Sequence, residues 1–181
     1  MDKYNESKLA LEKALKEMSD EANSLYETMR LSDLKKANIL DTVRESDYDD
    51  LTRLAAVVTG ASTALITFLD EKRMWIKANY GVQLPIDNKR EDSFCNVAIQ
   101  TPQDVMIIND AHEDPRFKKN YWVVDQQLVR FYAGVPLLST AERPVGSLCV
   151  IDNFARPLSK QQENDLRVVA RIVTSLVSKR H

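Results

Sequence analysis

The sequence is poor in the residues that break, cross-link or catalyse. Among 181 residues there are four glycines, six prolines, two cysteines and two histidines. Residues 1–59 hold neither glycine nor proline, so nothing in that stretch interrupts a helix. Cys95 and Cys149 stand far apart with no CxxC spacing, which excludes a disulfide framework and suits a reducing cytoplasm. Both are expected to be free thiols. His112 and His181 leave few members for a metal cluster or a Ser/His/Asp arrangement. The expectation is therefore no enzyme and no metal site, with any cofactor unknown. No apolar run approaches the about 18 residues of a membrane helix, and the start Met-Asp-Lys-Tyr-Asn-Glu lacks the basic and apolar regions of a secretion signal. An excess of one charge is also missing. With 25 basic against 27 acidic residues and a net charge of −2, neither nucleic acid nor membrane is an expected partner. The short cluster Arg116, Lys118, Lys119 reads as a solvated loop. What remains, 44% hydrophobic and 29% charged residues, describes a soluble globular chain with room for one domain and an appendage.

The rest of the chain is organised around residues 130–152. Two apolar runs, Phe131 to Leu138 and Val145 to Ile151, flank a polar turn at Ser139 to Pro144 and predict a long β-hairpin. Leu148 and Val150 point one way, while Cys149 and Ile151 point the other and are also apolar. A strand apolar on both faces needs cover on both, so the hairpin belongs in the centre of a sheet sandwiched by helices. Gly134 and Gly146 inside the runs mark a bulge or a close approach by backbone or ligand. Pro136 cannot donate to a ladder and requires a bulge or an unpaired position.

Ahead of it, Leu11, Leu15, Met18, Ala22, Leu25 and Met29 are spaced 4, 3, 4, 3, 4, a heptad stripe flanked by Glu and Lys. It predicts a helix over roughly Asn5 to Arg30 whose stripe is too narrow for a core and favours a helix–helix partner. A polar break at Ser32-Asp33 and a short helical piece ending near Leu40 follow. Ser46 with Asp49 resembles a capping box for a helix that closes at Gly60. Strands are expected at Ala64 to Leu69, Met74 to Tyr80 and Val105 to Ile108. Gly81 to Glu91 reads as a polar loop, Ser93 as the cap of a short helix through Thr101, and 110–124 as irregular. Ser159 and Gln162 form a second capping box, opening a last helix whose Leu166, Val169, Val173 and Leu176 face the sheet or another helix.

The ordered series Leu40-Asp41-Thr42, Leu51-Thr52-Arg53-Leu54-Ala55, Phe68-Leu69-Asp70, Arg90-Glu91-Asp92-Ser93-Phe94-Cys95, Asp110-Ala111 and Asp114-Pro115-Arg116-Phe117 resembles a bacterial GAF domain. It continues through Arg130 to Leu137 and Gly146 to Asp152, and the resemblance runs from about Asn38 to Val177. Such domains are often placed ahead of histidine kinases and diguanylate cyclases. The resemblance implies an α+β fold with an antiparallel sheet of five or six strands. The first and last helices cover one face and dimerise, and a small-molecule pocket lies on the other. Residues 1–35 would be a dimerisation and signalling helix, and residues 36–181 the GAF-like domain. Bilin-binding relatives attach their chromophore through a cysteine usually followed by histidine, whereas Asn96 follows Cys95 here. Many similar domains place histidine where this chain has Val97. The several pocket cysteines of GAF-type methionine sulfoxide reductases are not reproduced.

The function expected is a cytoplasmic sensory or regulatory module, a parallel homodimer through the N-terminal stripe with help from Leu166, Val173 and Leu176. It would bind a small polar ligand and signal to a downstream protein. Two other readings stand beside it: a ligand-free interaction module, and a thiol-based redox sensor or enzyme using Cys95. Ligand-binding candidates are Ser93, Phe94 and Cys95 at the short helix, Tyr132 on the hairpin with its apolar body and polar tip, and the charged Asp110, Arg116 and Arg130. Ion pairing within loops is the competing role for the charged three.

Overall fold

Both faces of the hairpin are covered, which is why neither of its strands alternates. In the computed structural model, which describes residues 3–180, it forms β5 (Phe131–Leu138) and β6 (Pro144–Asp152). Before it come α1 (Lys3–Lys36), α2 (Ser46–Thr59), β1 (Thr63–Leu69), β2 (Arg73–Tyr80), β3 (Asp87–Lys89), α3 (Phe94–Ala98), β4 (Met106–Ile108) and α4 (Tyr121–Val124), and after it α5 (Lys160–Ser178). The six strands make one antiparallel sheet in the order β3-β2-β1-β6-β5-β4. The architecture is α+β, with helices on both faces of the sheet.

The two faces carry separate cores. Leu148 and Val150 join Ile66, Phe68, Phe131 and Leu137 in a core closed by α2, α5 and the end of α1, through Leu51, Ala55, Leu166, Val169, Val173 and Leu34. Cys149 and Ile151 point oppositely and join Leu65, Met74, Phe94, Phe117 and Tyr132 beneath α3 and the 110–130 segment. The two glycines of the hairpin serve close approach. A Cβ at Gly146 would stand 2.1 Å from the Thr67 carbonyl oxygen, and one at Gly134 would stand 2.2 Å from the Tyr132 hydroxyl. Pro136 lies past the end of β4, which stops with Met106 opposite Gly134, so it occupies a stretch of β5 with a single neighbouring strand.

Several boundaries differ from the sequence expectation. Helix α1 runs unbroken to Lys36, because Asp33 of the polar pair Ser32-Asp33 is engaged by tertiary contacts while Ser32 faces solvent. Asp33 accepts from Arg143 Nε at 2.7 Å and Ser139 Oγ at 2.8 Å, anchoring the helix to the hairpin turn. Helix α2 is capped at its end by Gly60 in the left-handed region, φ 68°, as expected, but its N-cap is Glu45 and Ser46 is already helical. Strand β3 lies within the Gly81 to Glu91 segment expected as loop: Asp87-Asn88-Lys89 has no apolar alternation, and its strand character comes from pairing with β2. At α5 the Ser159/Gln162 capping box is present in both directions.

The stripe on α1 is uncovered. Leu11, Leu15, Met18 and Leu25 are each more than half exposed, and Met29 is 41% exposed. The expected contribution of α5 to assembly needs correction. Leu166 and Val173 are buried in this domain's own core, whereas Val168 and Ile172 of α5 face outward, as do Leu54 and Val57 of α2. No helix among the described residues is long and apolar enough to cross a membrane.

Candidate functional site

The face away from α2 and α5 holds a small cavity of about 40 Å³ between the sheet and α3. Its floor is Leu65, Met74, Cys149 and Ile151 from the central strands. Ser93, Phe94 and Cys95 form one wall, and Leu84, Trp122, Leu128 and Val129 close the outside. Four of the predicted site residues, Ser93, Phe94, Cys95 and Tyr132, therefore meet at one place. Asp110, Arg116 and Arg130 do not line it. Arg130 grips Asp110 at 2.8 and 3.1 Å, and Arg116 grips Asp114 at 2.6 and 3.0 Å, so their charges are satisfied on the outside of the loops. Arg130 instead borders a separate, open cleft of about 710 Å³ with His112, Lys118 and Lys119.

The cavity is small because aromatic rings fill most of the space beside it. Phe94 stacks between Phe117, at 4.0 Å between ring centroids, and Tyr132, at 5.1 Å. Tyr132 is 1% exposed and folds its ring across Gly134, which brings its hydroxyl to 3.5 Å from Cys95 Sγ. Burial, with smaller effects from the two neighbouring cysteines, raises the Tyr132 phenol well above its ordinary value. It stays a donor at any physiological pH. Ser93 occupies the N-cap position of α3 but caps nothing. Its hydroxyl turns inward and donates to Met74 Sδ at 3.0 Å. With this lining the space is apolar apart from two hydroxyls and the thiols.

Sequence reasoning missed the contact at the centre of the site. Cys95 and Cys149, 54 residues apart, bring their sulfurs to 3.7 Å, both buried and both free thiols. The hydrogen bond with Cys149, aided by Thr67, Tyr132 and Ser93, draws the Cys95 thiol below its ordinary value against the opposing effect of burial. The same bond and burial hold Cys149 above its own. The separate placement expected for the two residues is thus overturned by the crossing of α3 over β6. Leu128 and Leu84 were also missed, since no local pattern marks a loop residue as a lid. Among the described residues no group of three or more histidine, cysteine or acidic side chains is placed to hold a metal ion.

A six-stranded antiparallel sheet with terminal helices on one face and a small, loop-covered pocket on the other is the architecture of a GAF domain, and the chain has that fold. No protein-family model matches the sequence. A cyclic di-GMP phosphodiesterase of Pseudomonas aeruginosa is 33% identical over 152 residues, covering 83% of this chain. The matching region makes up 26% of that protein's length. The GAF domain of an Acinetobacter phosphoenolpyruvate-protein phosphotransferase superposes with TM-score 0.59 at 18% identity, covering 83% of this chain and 93% of that one. A type II free methionine-R-sulfoxide reductase of Thermoplasma acidophilum superposes with TM-score 0.60 at 16% identity, over 73% and 90% of the two chains.

These similarities correct the expectation that the chain is not an enzyme. The sequence relative is a phosphodiesterase and one neighbour of the same fold is a reductase, so scarcity of histidine does not exclude enzymatic activity. Scarce histidine limits only Ser/His/Asp constellations and histidine-rich metal sites. It leaves thiol chemistry untouched, and the fold assembles a dithiol that spacing along the chain concealed.

Proposed function

We propose that this chain is a GAF sensory module that forms a parallel homodimer through α1 and passes the state of its α3 pocket to a downstream protein. The observation that carries this reading is the uncovered heptad stripe. Leu11, Leu15, Met18, Leu25 and Met29 face solvent on a helix that continues into the buried Arg30, Asp33 and Leu34. A narrow apolar seam of this kind is stabilised by a copy of itself. The exposed Val168 and Ile172 of α5, rather than the buried Leu166 and Val173, are the α5 residues free to join such an assembly. Residues 1–35 then act as the signalling helix and residues 36–181 as the sensory body. Similarity to part of a cyclic di-GMP phosphodiesterase supports an enzyme of that signalling chemistry as the downstream partner.

For the ligand, the cavity of about 40 Å³ supports a molecule of few heavy atoms, with Tyr132 and Ser93 as its polar contacts. Anything larger requires Trp122 and Leu128 to swing outward. The aromatic filling of the pocket favours a second reading, an interaction module that binds no ligand.

The test is sedimentation of the unmodified protein and of a Leu15→Lys, Leu25→Lys variant. The reading expects a dimer that becomes a monomer with its sheet domain still folded. An unmodified protein that stays monomeric at micromolar concentration refutes it.

A further inference from the structure

Cys149 is held rigidly in the middle of the sheet, its backbone paired to Leu65 of β1 on one side and Gly134 of β5 on the other. Cys95 sits on α3, a helix of five residues attached to the sheet by side chains rather than by a strand ladder. A disulfide has an S–S length of about 2.0 Å, so bonding the pair from 3.7 Å draws the sulfurs together by about 1.7 Å. The adjoining cavity gives α3 space to move. A water needs at least about 10–15 Å³ of such volume, so about 40 Å³ admits a two-oxygen molecule such as hydrogen peroxide and excludes bulky hydroperoxides.

The residue after Cys95 links this helix to the far end of the domain. Asn96 Oδ1 accepts from Arg90 Nε at 2.8 Å. Arg90 Nη1 donates to Glu27 of α1 at 2.5 Å. Glu27 in turn holds Arg30, whose guanidinium is 1% exposed, by two bonds of 2.7 and 2.8 Å. A displacement of α3 therefore acts on α1 through two consecutive side-chain contacts, Asn96 to Arg90 and Arg90 to Glu27.

We propose that Cys95 and Cys149 are a dithiol site that small hydroperoxides convert to a disulfide, and that Asn96, Arg90 and Glu27 carry the resulting shift of α3 to α1. The Cys95 thiolate attacks one peroxide oxygen, the O–O bond breaks, and hydroxide leaves to be protonated, giving a sulfenic acid. Cys149 sulfur then attacks Cys95 sulfur. The S–S bond forms as the S–O bond breaks, and the departing hydroxide leaves as water with the Cys149 proton. In sum, two thiols and one hydrogen peroxide give a disulfide and two waters, with two electrons passing from sulfur to oxygen. Cys95, whose sulfur accepts the Tyr132 hydroxyl at 3.5 Å, is the attacking member and leaves Cys149 to resolve. The site requires neither the dimer nor the ligand of the preceding proposal.

The test uses the reduced protein, treated with hydrogen peroxide or cumene hydroperoxide and then alkylated. Intact mass and peptide mapping should show a Cys95–Cys149 bond with hydrogen peroxide, at least tenfold slower formation with the bulky reagent, and a trappable sulfenic acid on Cys95 in Cys149→Ser. Hydrogen exchange of the amides of residues 24–36 should change several-fold on oxidation. In Arg90→Gln, and in Arg90→Lys as a milder variant, the disulfide should still form while that change is lost. Two thiols that both alkylate after peroxide treatment of folded protein overturn the site. An α1 response that persists in both Arg90 variants overturns the coupling.

Discussion

Glu27 joins α1 to the rest of the domain, and its ionisation sets how firmly. Burial alone would raise this carboxyl, but the hydrogen bonds and charges of Arg30 and Arg90 outweigh it and bring the value from 4.5 to about 2. At about 1.4 kcal/mol per pH unit, such a shift is linked to at most about 3 kcal/mol of stability. The Glu27 side chain is 36% exposed, so solvent screening reduces this to about 1–2 kcal/mol. The folded-state value is depressed, so the stabilisation is complete above pH 4.5 and is lost as pH falls toward 2. Replacing Glu27 with Gln removes the charge at all pH values. Urea unfolding of the two proteins should therefore differ by about 1–2 kcal/mol at pH 7, with the gap narrowing steadily below pH 4.5. A gap that is as wide at pH 3 as at pH 7 would show that Glu27 acts through shape or packing, not charge, and the reasoning would fail.

Lys77 is buried in the sheet, and its ammonium donates to Thr42 Oγ1, the Val43 carbonyl and Glu45 at 2.6–2.7 Å. Lys77→Met should lower the unfolding free energy by about 2–3 kcal/mol because these acceptors lose their donor. Glu45 keeps Arg180, so a complete loss of folding is not expected. The two hairpin glycines should respond unequally to alanine. At Gly146 the new Cβ meets backbone of β1 that cannot yield, whereas at Gly134 it meets the end of the Tyr132 side chain. Thermal unfolding should show Gly134→Ala costing about 1–3 kcal/mol and Gly146→Ala more; the reverse order would contradict the close approach of β1 and β6.

The features legible in the sequence were those governed by neighbours a few residues away. Apolar residues on both faces of Val145–Ile151 required a central strand, and β6 lies between β1 and β5. The Ser159 capping box, the Gly60 helix end and the α1 stripe are likewise written in spacings of three or four residues, the reach of a helical turn. The GAF fold was recognisable because many such local motifs occur in order. What the tertiary structure alone decided are the pairings that close long loops. Strand β3 exists because β2 lies beside three polar residues, and Lys77 is buried because the segment before α2 supplies its acceptors. The charged site candidates Asp110, Arg116 and Arg130 found partners within their loops, leaving the cavity to Ser93, Phe94, Cys95 and Tyr132. The Cys95–Cys149 contact depends on α3 crossing a strand 54 residues later in the chain. No periodicity records such a crossing, because its register is set by how two separate cores fill opposite faces of one sheet.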